Sequence, residues 1–288
     1  MSFVSYAQNF EDIMLWRALQ HIPEGFYVDV GAWSPDLDSV TLAFYERGWS
    51  GINIEPNSVF HDQLQQKRPR DQNLCIAVGA MEDRMTITLF EDSGLSTFDL
   101  VLAAQHQQAG RPCTQQEVRV TTLATVLDQH LQSGQEVHFM KLDVEGMEYA
   151  ALRGNNWEAH RPWVLVVEST RPLSQTESHD AWEPLVLASG YVFAYADGLN
   201  RFYVANEHFA LLHALRHPPN IFDDFVHVRT YRAEARALQA EARALQAEAQ
   251  ALQAEAKLQE FVHSLTWRLA APIRASIRTL RWMQSLFR

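Results

Sequence analysis

The run WVLVVE, residues 163–168, is apolar on both faces of an extended chain up to its last residue. Such a strand must be covered from both sides, as strands are in a parallel sheet between two helix layers. Other short apolar runs fit the same frame: FYVDV (26–30), GINIE (51–55), LCIAVG (74–79), MTITLF (85–90), VHFMKLDV (137–144), YVFAYA (191–196) and RFYVA (201–205). Between them lie helix-like stretches over 10–19, 39–48, 59–66, 123–131, 147–154 and 179–190. Gly48, Gly154 and Gly190 close three of these, as glycine often closes a helix. Strands alternating with helices predict an open α/β sheet, mostly parallel. The last two strands, joined at DGLN (197–200), read as an antiparallel hairpin at its end.

In such a sheet, ligands bind at the carboxyl ends of the strands, near the point where strand order reverses. The first predicted strand ends in Asp29, Val30, Gly31 and Ala32. A dinucleotide fingerprint needs three glycines here, because a pyrophosphate needs several free N–H groups. This turn has one, so a nicotinamide enzyme is disfavoured. Acids at Asp29 and Glu55 suit a ligand with a ribose, an amino group and a sulfonium, which describes S-adenosyl-L-methionine. The alternative is that Asp29 and Gly31 only shape the turn. The segment MKLDVEGMEY (140–149) puts Lys141, Asp143 and Glu145 on one strand face, and Glu168 ends another strand on the same rim. These acids can hold a cationic cofactor, hold a metal, or take a proton from a hydroxyl. Some of them can equally cap the following helices, Glu145 above all.

Charge bounds the partners. The net charge is −11, and residues 261–288 carry five arginines and no acid, so the first 260 residues carry −16. An acidic body argues against nucleic acid. Cys75 and Cys113 are too few for a disulfide framework and lack zinc spacing, which suits a reducing cytoplasm. The first residues, MSFVSYAQNFEDIML, lack the basic end and apolar run of a signal peptide. His213 and His217 have helical metal spacing but no third ligand follows, so no zinc site is expected there.

The set DVGA, INIEP, LDVEGMEYAAL and the closing VVE resembles the FkbM-type S-adenosylmethionine-dependent methyltransferases. SYAQNFEDIMLWRAL, GLSTFD (94–99) and DGLNRFYV (197–204) are similar to segments of that family's bacterial members. The resemblance covers residues 3–226 and implies a Rossmann-like class I methyltransferase fold that methylates an oxygen, often of a sugar or polyketide. Carried over by position, it implies that Asp29, Gly31 and Ala32 form the cofactor turn and that Glu55 is the ribose acid. It also places the acidic motif of the fourth strand at Asp143 and Glu145. Trp33 and Pro35 stand where small or polar residues are usual.

Outside these motifs, Gln8 and Glu11 in YAQNFED form either a lid over the cofactor or an ordinary helix start with acids in its first turn. Trp182, Asn200 and Arg201 offer a ring face and donors to a sugar, or serve as a core tryptophan and turn residues.

The C-terminal part is different in kind. Residues 232–259 repeat AEARALQ, with Ala at 235, 242, 249 and 256 and Leu at 238, 245 and 252. This is a coiled-coil seam for a homo-oligomer, or a single solvated spacer helix. In the tail, Leu269, Ile273, Ile277, Leu280 and Met283 share a face near Trp267, Trp282 and Phe287, with arginines opposite. This suits an anionic inner-membrane surface, or another protein. The sequence therefore divides at 1–228, 229–260 and 261–288. It reads as a cytoplasmic, membrane-peripheral O-methyltransferase whose acceptor is a glycan hydroxyl. The alternative is a degenerate methyltransferase-like scaffold, its cofactor turn closed by Trp33 and Pro35, that recruits glycan-assembly partners.

Overall fold

A computed structural model describes residues 2–90, 110, 112–171 and 174–286. The GLSTFD segment and Phe287 lie outside the described residues, as do the side chains of Leu280 and Met283. Two compact units are distinguished, Met1–Val228 and Arg229–Arg288.

Among the described residues, the first unit carries strands β1 (Phe3–Ser5), β2 (Phe26–Val30), β3 (Ser50–Ile54), β4 (Gln72–Leu74), β5 (Ala77–Val78), β6 (Asp83–Phe90), β7 (Cys113–Thr121), β8 (Phe139–Leu142), β9 (Val164–Glu168), β10 (Tyr191–Ala196), β11 (Asn200–Ala205) and β12 (Phe225–His227). Seven form the main sheet, in the order β4-β3-β2-β8-β9-β11-β10. The strands from β4 to β9 are parallel, while β11 is antiparallel to both β9 and β10. The chain winds outward from β2 through β3 to β4, then returns to β8 on the other side, so strand order reverses between β2 and β8. The predicted hairpin is present, with its second strand inside and its first at the edge.

Alternation along the strands builds a core on each face. Val28, Val30, Leu165 and Val167 pack with Leu123, Val126, Leu127, Leu152 and Val186 of the helices Leu123–His130, Glu148–Arg153 and Glu183–Ala188. Tyr27, Phe139, Val164 and Val166 face the other way, onto Met14, Leu15, Phe44 and Leu215 of Glu11–Leu19, Leu42–Tyr45 and Leu212–Leu215. Each fully buried aliphatic side chain stabilises by roughly 1.5–3 kcal/mol, so WVLVVE behaves as its pattern demands. Local capping fixes helix starts: the Asn57 side chain accepts from the Val59 N–H, and the Thr122 hydroxyl accepts from the Thr125 N–H.

Two expectations need correction, and one strand is new. The helix expected over 39–48 contracts to Leu42–Tyr45. The strand expected over 74–79 breaks at Cys75 and Ile76, because the chain leaves the main sheet there and enters a second one, ordered β5-β7-β6. Strand β7 is absent from the sequence reading. Its residues are mostly polar, and β6 supplies its pairing from Asp83–Val120 to Phe90–Cys113. Gly154 closes its helix as expected, but with an ordinary helical φ of −76°, so no left-handed turn requires it. It is required by proximity instead: a Cβ there would lie 2.1 Å from the Gly79 carbonyl oxygen.

The second unit is helical. One helix, Val228–His263, runs 36 residues. Leu238, Leu245 and Leu252 are exposed along it. Ser264 interrupts it and caps a short helix, Leu265–Leu269, accepting from the Trp267 N–H at 3.2 Å. A last helix spans Ala271–Leu286, and Arg274 stacks on the Trp267 ring at 3.6 Å. Among the described residues, no helix is long and apolar enough to cross a membrane.

Candidate functional site

The turn after β2 explains its single glycine. Gly31 has φ +77°, and a Cβ on it would lie 1.8 Å from the Asp143 carbonyl oxygen. No other residue fits there. The Gly31 and Ala32 N–H groups both donate to the Ile54 carbonyl, at 3.0 and 3.1 Å. The next N–H, of Trp33, donates to Glu55 Oε2 at 2.8 Å. All three donors of the turn are therefore engaged within the protein, whereas a pyrophosphate site presents such donors to its ligand.

Beyond the turn, a cavity of about 390 Å³ opens at the carboxyl ends of β2, β3, β8 and β9. Ile54, Pro56 and Phe60 form one side, and Ala77, Val78 and Ile87 of the small sheet and its approach form another. Gln8, Thr170, Ser174 and Leu199 close the rim from loops. Trp33 is a wall of this cavity, its ring edge-on to Phe60 with centroids 5.8 Å apart. The peptide that follows is pinned from below. Arg68, 1% exposed, donates from Nε and Nη2 to the Pro35 carbonyl and from Nη2 to the Ser39 hydroxyl. Arg68 Nη1 also lies 3.8 Å from Asp71, which accepts from Tyr27, Asn53 and the Gly51 N–H. Trp33, Asp38 and Glu145 all line the cavity with left-handed backbone, at φ 48°, 49° and 50°. Each costs of order 1–3 kcal/mol, and such strain persists where the surroundings enforce it.

The charged rim is organised around Lys141. Its ammonium donates to the Gly31 carbonyl at 3.0 Å and lies 3.2 Å from Asp143 and 3.8 Å from Asp29. Burial pulls this ammonium's pKa down, but Asp143 and Asp29 outweigh burial and hold it above the ordinary value. Burial raises the Glu145 carboxyl to about 8, with Asp143 adding repulsion. Burial also raises Glu168 strongly, again with Asp143 and Glu145 contributing. Glu168 Oε2 is buried and unpartnered among the described residues, and the side chain lines the cavity. The capping alternative for Glu145 has a different occupant: Glu148 accepts from the Gly146 and Val144 N–H groups at the start of its own helix.

The residues singled out in the sequence divide accordingly. Gln8, Gly31, Ala32, Glu55, Asp143, Glu145 and Glu168 come together in the cavity wall. Asp29 does not line it. Its side chain lies beneath, 2% exposed, accepting from Thr41 at 2.9 Å and facing Lys141. Glu55 is on the wall, but each of its oxygens already takes an N–H, from Trp33 and from Asn57. Glu11 is buried away from the wall and accepts from Asn200 at 2.8 Å. Its neighbour Asp12 staples the N-terminal segment through Ser5 and the N–H groups of Tyr6 and Ala7.

The proposed sugar contacts need correction. Trp182 is 1% exposed and packs edge-on against Tyr203, so its ring belongs to the core. Asn200 is held by Glu11 and Asp197, and Arg201 by Glu183 and Tyr203. Sequence reasoning missed Arg68 and Phe60. An arginine before a proline carries no local signal of burial.

Comparison with known proteins adds one family and one structure. The profile of the methyltransferase FkbM domain matches residues 29–193. The chain is similar to the crystal structure of methyltransferase FkbM from Methylobacillus flagellatus KT, with 17% sequence identity and a TM-score of 0.40. The likeness covers 63% of this chain and 43% of that one, so the chain spans less than half of that protein's length. No curated protein matches.

Proposed function

This chain belongs to the FkbM methyltransferase family, and on that premise we propose that it is an S-adenosylmethionine-dependent O-methyltransferase acting on a sugar hydroxyl of a surface polysaccharide or lipid-linked glycan. The observation that carries the reading is the turn after β2. Its N–H donors are engaged within the protein, and acids line the cavity beyond it. That donor set fits a ligand with a cationic amino group and no pyrophosphate. S-adenosylmethionine, when bound, supplies a methyl group made electrophilic by its sulfonium.

The chain's own residues then position the partners and handle the proton. Gly31 keeps the backbone of β2 and β8 close, and Lys141 holds that backbone and Asp143 together. Glu55 fixes the turn and presents its remaining lone pairs to the cavity. Asp143, on the wall beside Lys141, is the group placed to orient the acceptor hydroxyl and take its proton. Burial raises Glu168 strongly, so it keeps its proton and offers a hydrogen bond to the acceptor, while Glu145, raised to about 8, is left to the cofactor's amino group. Most of the rate enhancement in this mechanism comes from alignment in a confined site.

The scaffold reading rests on Trp33 and Pro35 closing the turn. Trp33 instead stands against Phe60 as a wall, Pro35 is tied back to Arg68, and the cavity is open. That favours the enzyme. For location, we place the chain at the inner-membrane surface through its tail. Leu269, Ile273 and Ile277 are exposed there among arginines, the recipe for an interfacial helix. Truncation at residue 260 is expected to abolish co-sedimentation with anionic vesicles.

The test of the enzyme is calorimetric titration of the full chain with S-adenosylhomocysteine, beside the Asp143→Asn variant. Micromolar binding is expected for both, with methyl transfer to glycan acceptors retained only by the parent. A folded chain that takes up no S-adenosylhomocysteine would overturn the reading.

A further inference from the structure

We propose that helix Val228–His263 pairs in parallel, and in register, with the same helix of a second copy of this chain. The inference does not depend on the methyltransferase chemistry. Leu238, Leu245 and Leu252 are 67%, 61% and 61% exposed, a row of large apolar side chains on one helix. They recur every seven residues, with Ala235, Ala242 and Ala249 three residues before each. A straight helix rotates a seven-residue row by about 20° per heptad. The row stays on one line only if the helix supercoils left-handedly around a partner.

The charges argue against a lone spacer helix. An isolated helix gains lateral support from acid–base pairs three or four residues apart. Along the helix only Lys257 and Glu260 have that spacing; from Arg229 to Glu255 neighbouring acids and bases stand two or five apart. The charges are instead placed relative to the seam. With Ala at a and Leu at d, every g position from 234 to 255 is Glu and every e position from 239 to 253 is Gln. In a parallel, in-register pair, g faces the partner's e five residues on, so Glu234, Glu241 and Glu248 meet Gln239, Gln246 and Gln253, whose amides can donate to them, and Glu255 alone meets an acid, Glu260. In an antiparallel pair g faces g, and Glu meets Glu along the whole seam. The repeat thus selects a second copy of itself and selects its direction. Parallel pairing also brings both copies of the arginine-rich tail to the same end.

The experiment uses the full chain with Cys75→Ser and Cys113→Ser, so that one introduced cysteine reports. Sedimentation equilibrium at tens of micromolar is expected to give twice the 33.0 kDa of one chain. Leu245→Arg, which places a charge in the seam at a site exposed in the single chain, is expected to return the mass to one chain. In the same background, Ala235→Cys is expected to form a disulfide-linked dimer on mild oxidation. In an antiparallel pair those positions would stand about 30 Å apart, at 1.5 Å per residue. A single-chain mass at 100 μM, or cross-linking only when Ala235→Cys and Ala256→Cys chains are mixed, would overturn the proposal.

Discussion

Glu55→Gln tests the physical account of the turn. Glu55 ends β3, is 5% exposed, and accepts one N–H on each oxygen at 2.8 Å. Burial raises its carboxyl from the ordinary 4.5 to about 7, against the pull of those two hydrogen bonds. The folded chain therefore binds this proton more tightly than the unfolded chain. The resulting stability is fully present below about 4.5 and is lost as pH rises through about 7. A proton held in one state only is worth about 1.4 kcal/mol per pH unit. Between pH 5.5 and 8.5 the loss accrues over the stretch up to about pH 7 and sums to about 2 kcal/mol. Glutamine keeps the shape and one acceptor but cannot titrate, and its amide leaves one buried N–H unanswered, at a cost of about 1–3 kcal/mol. Urea unfolding of parent and variant at both pH values measures the gap. The parent is expected to lead clearly at pH 5.5 and to lose about 2 kcal/mol of that lead by pH 8.5. A gap of the same size at both pH values would refute the reasoning, because the buried carboxyl would then not be titrating in this window.

Three further outcomes follow from the same geometry. Gly31→Ala places a Cβ 1.8 Å from the Asp143 carbonyl at φ +77°; a loss of several kcal/mol is expected, and a parent-like melting temperature would sink the claim that this position admits no side chain. Arg68→Met leaves Asp71 buried without its cation and releases Pro35. A destabilisation of about 3–5 kcal/mol is expected, with weaker S-adenosylhomocysteine binding even where the variant is folded, and unchanged affinity would show that the turn needs no anchor. S-adenosylhomocysteine carries a cationic amino group, so it favours the charged form of Glu145, which burial holds at about 8. Affinity is expected to rise as pH passes through about 8, with protons released on binding; calorimetry in buffers of different ionisation heat would expose a flat response as a contradiction.

The sequence by itself determined the two-sided sheet and the terminal hairpin, and it carries the seven-residue leucine repeat. Each is a periodic signal carried by neighbours along the chain. WVLVVE can only be a strand covered on both faces, and Leu238, Leu245 and Leu252 can only be a stripe. It also brought out Gly31, Glu55, Asp143, Glu145 and Glu168, because strand ends in an open α/β sheet meet at one rim. Tertiary structure decided which atoms of those residues are at liberty. Asp29 reads as a cofactor acid, yet Thr41 and Lys141, the latter more than a hundred residues away, draw it beneath the cavity. Trp182 and Arg201 read as sugar contacts until Tyr203 and Glu183 claim them. Arg68 reads as a surface charge until the turn at Pro35 folds over it. Strand β7 exists because β6 pairs with it, not because its own residues demand it. Periodicity is local and is written in the chain. The partner of a buried polar group is set by contacts distant in sequence, and only the folded chain brings those together.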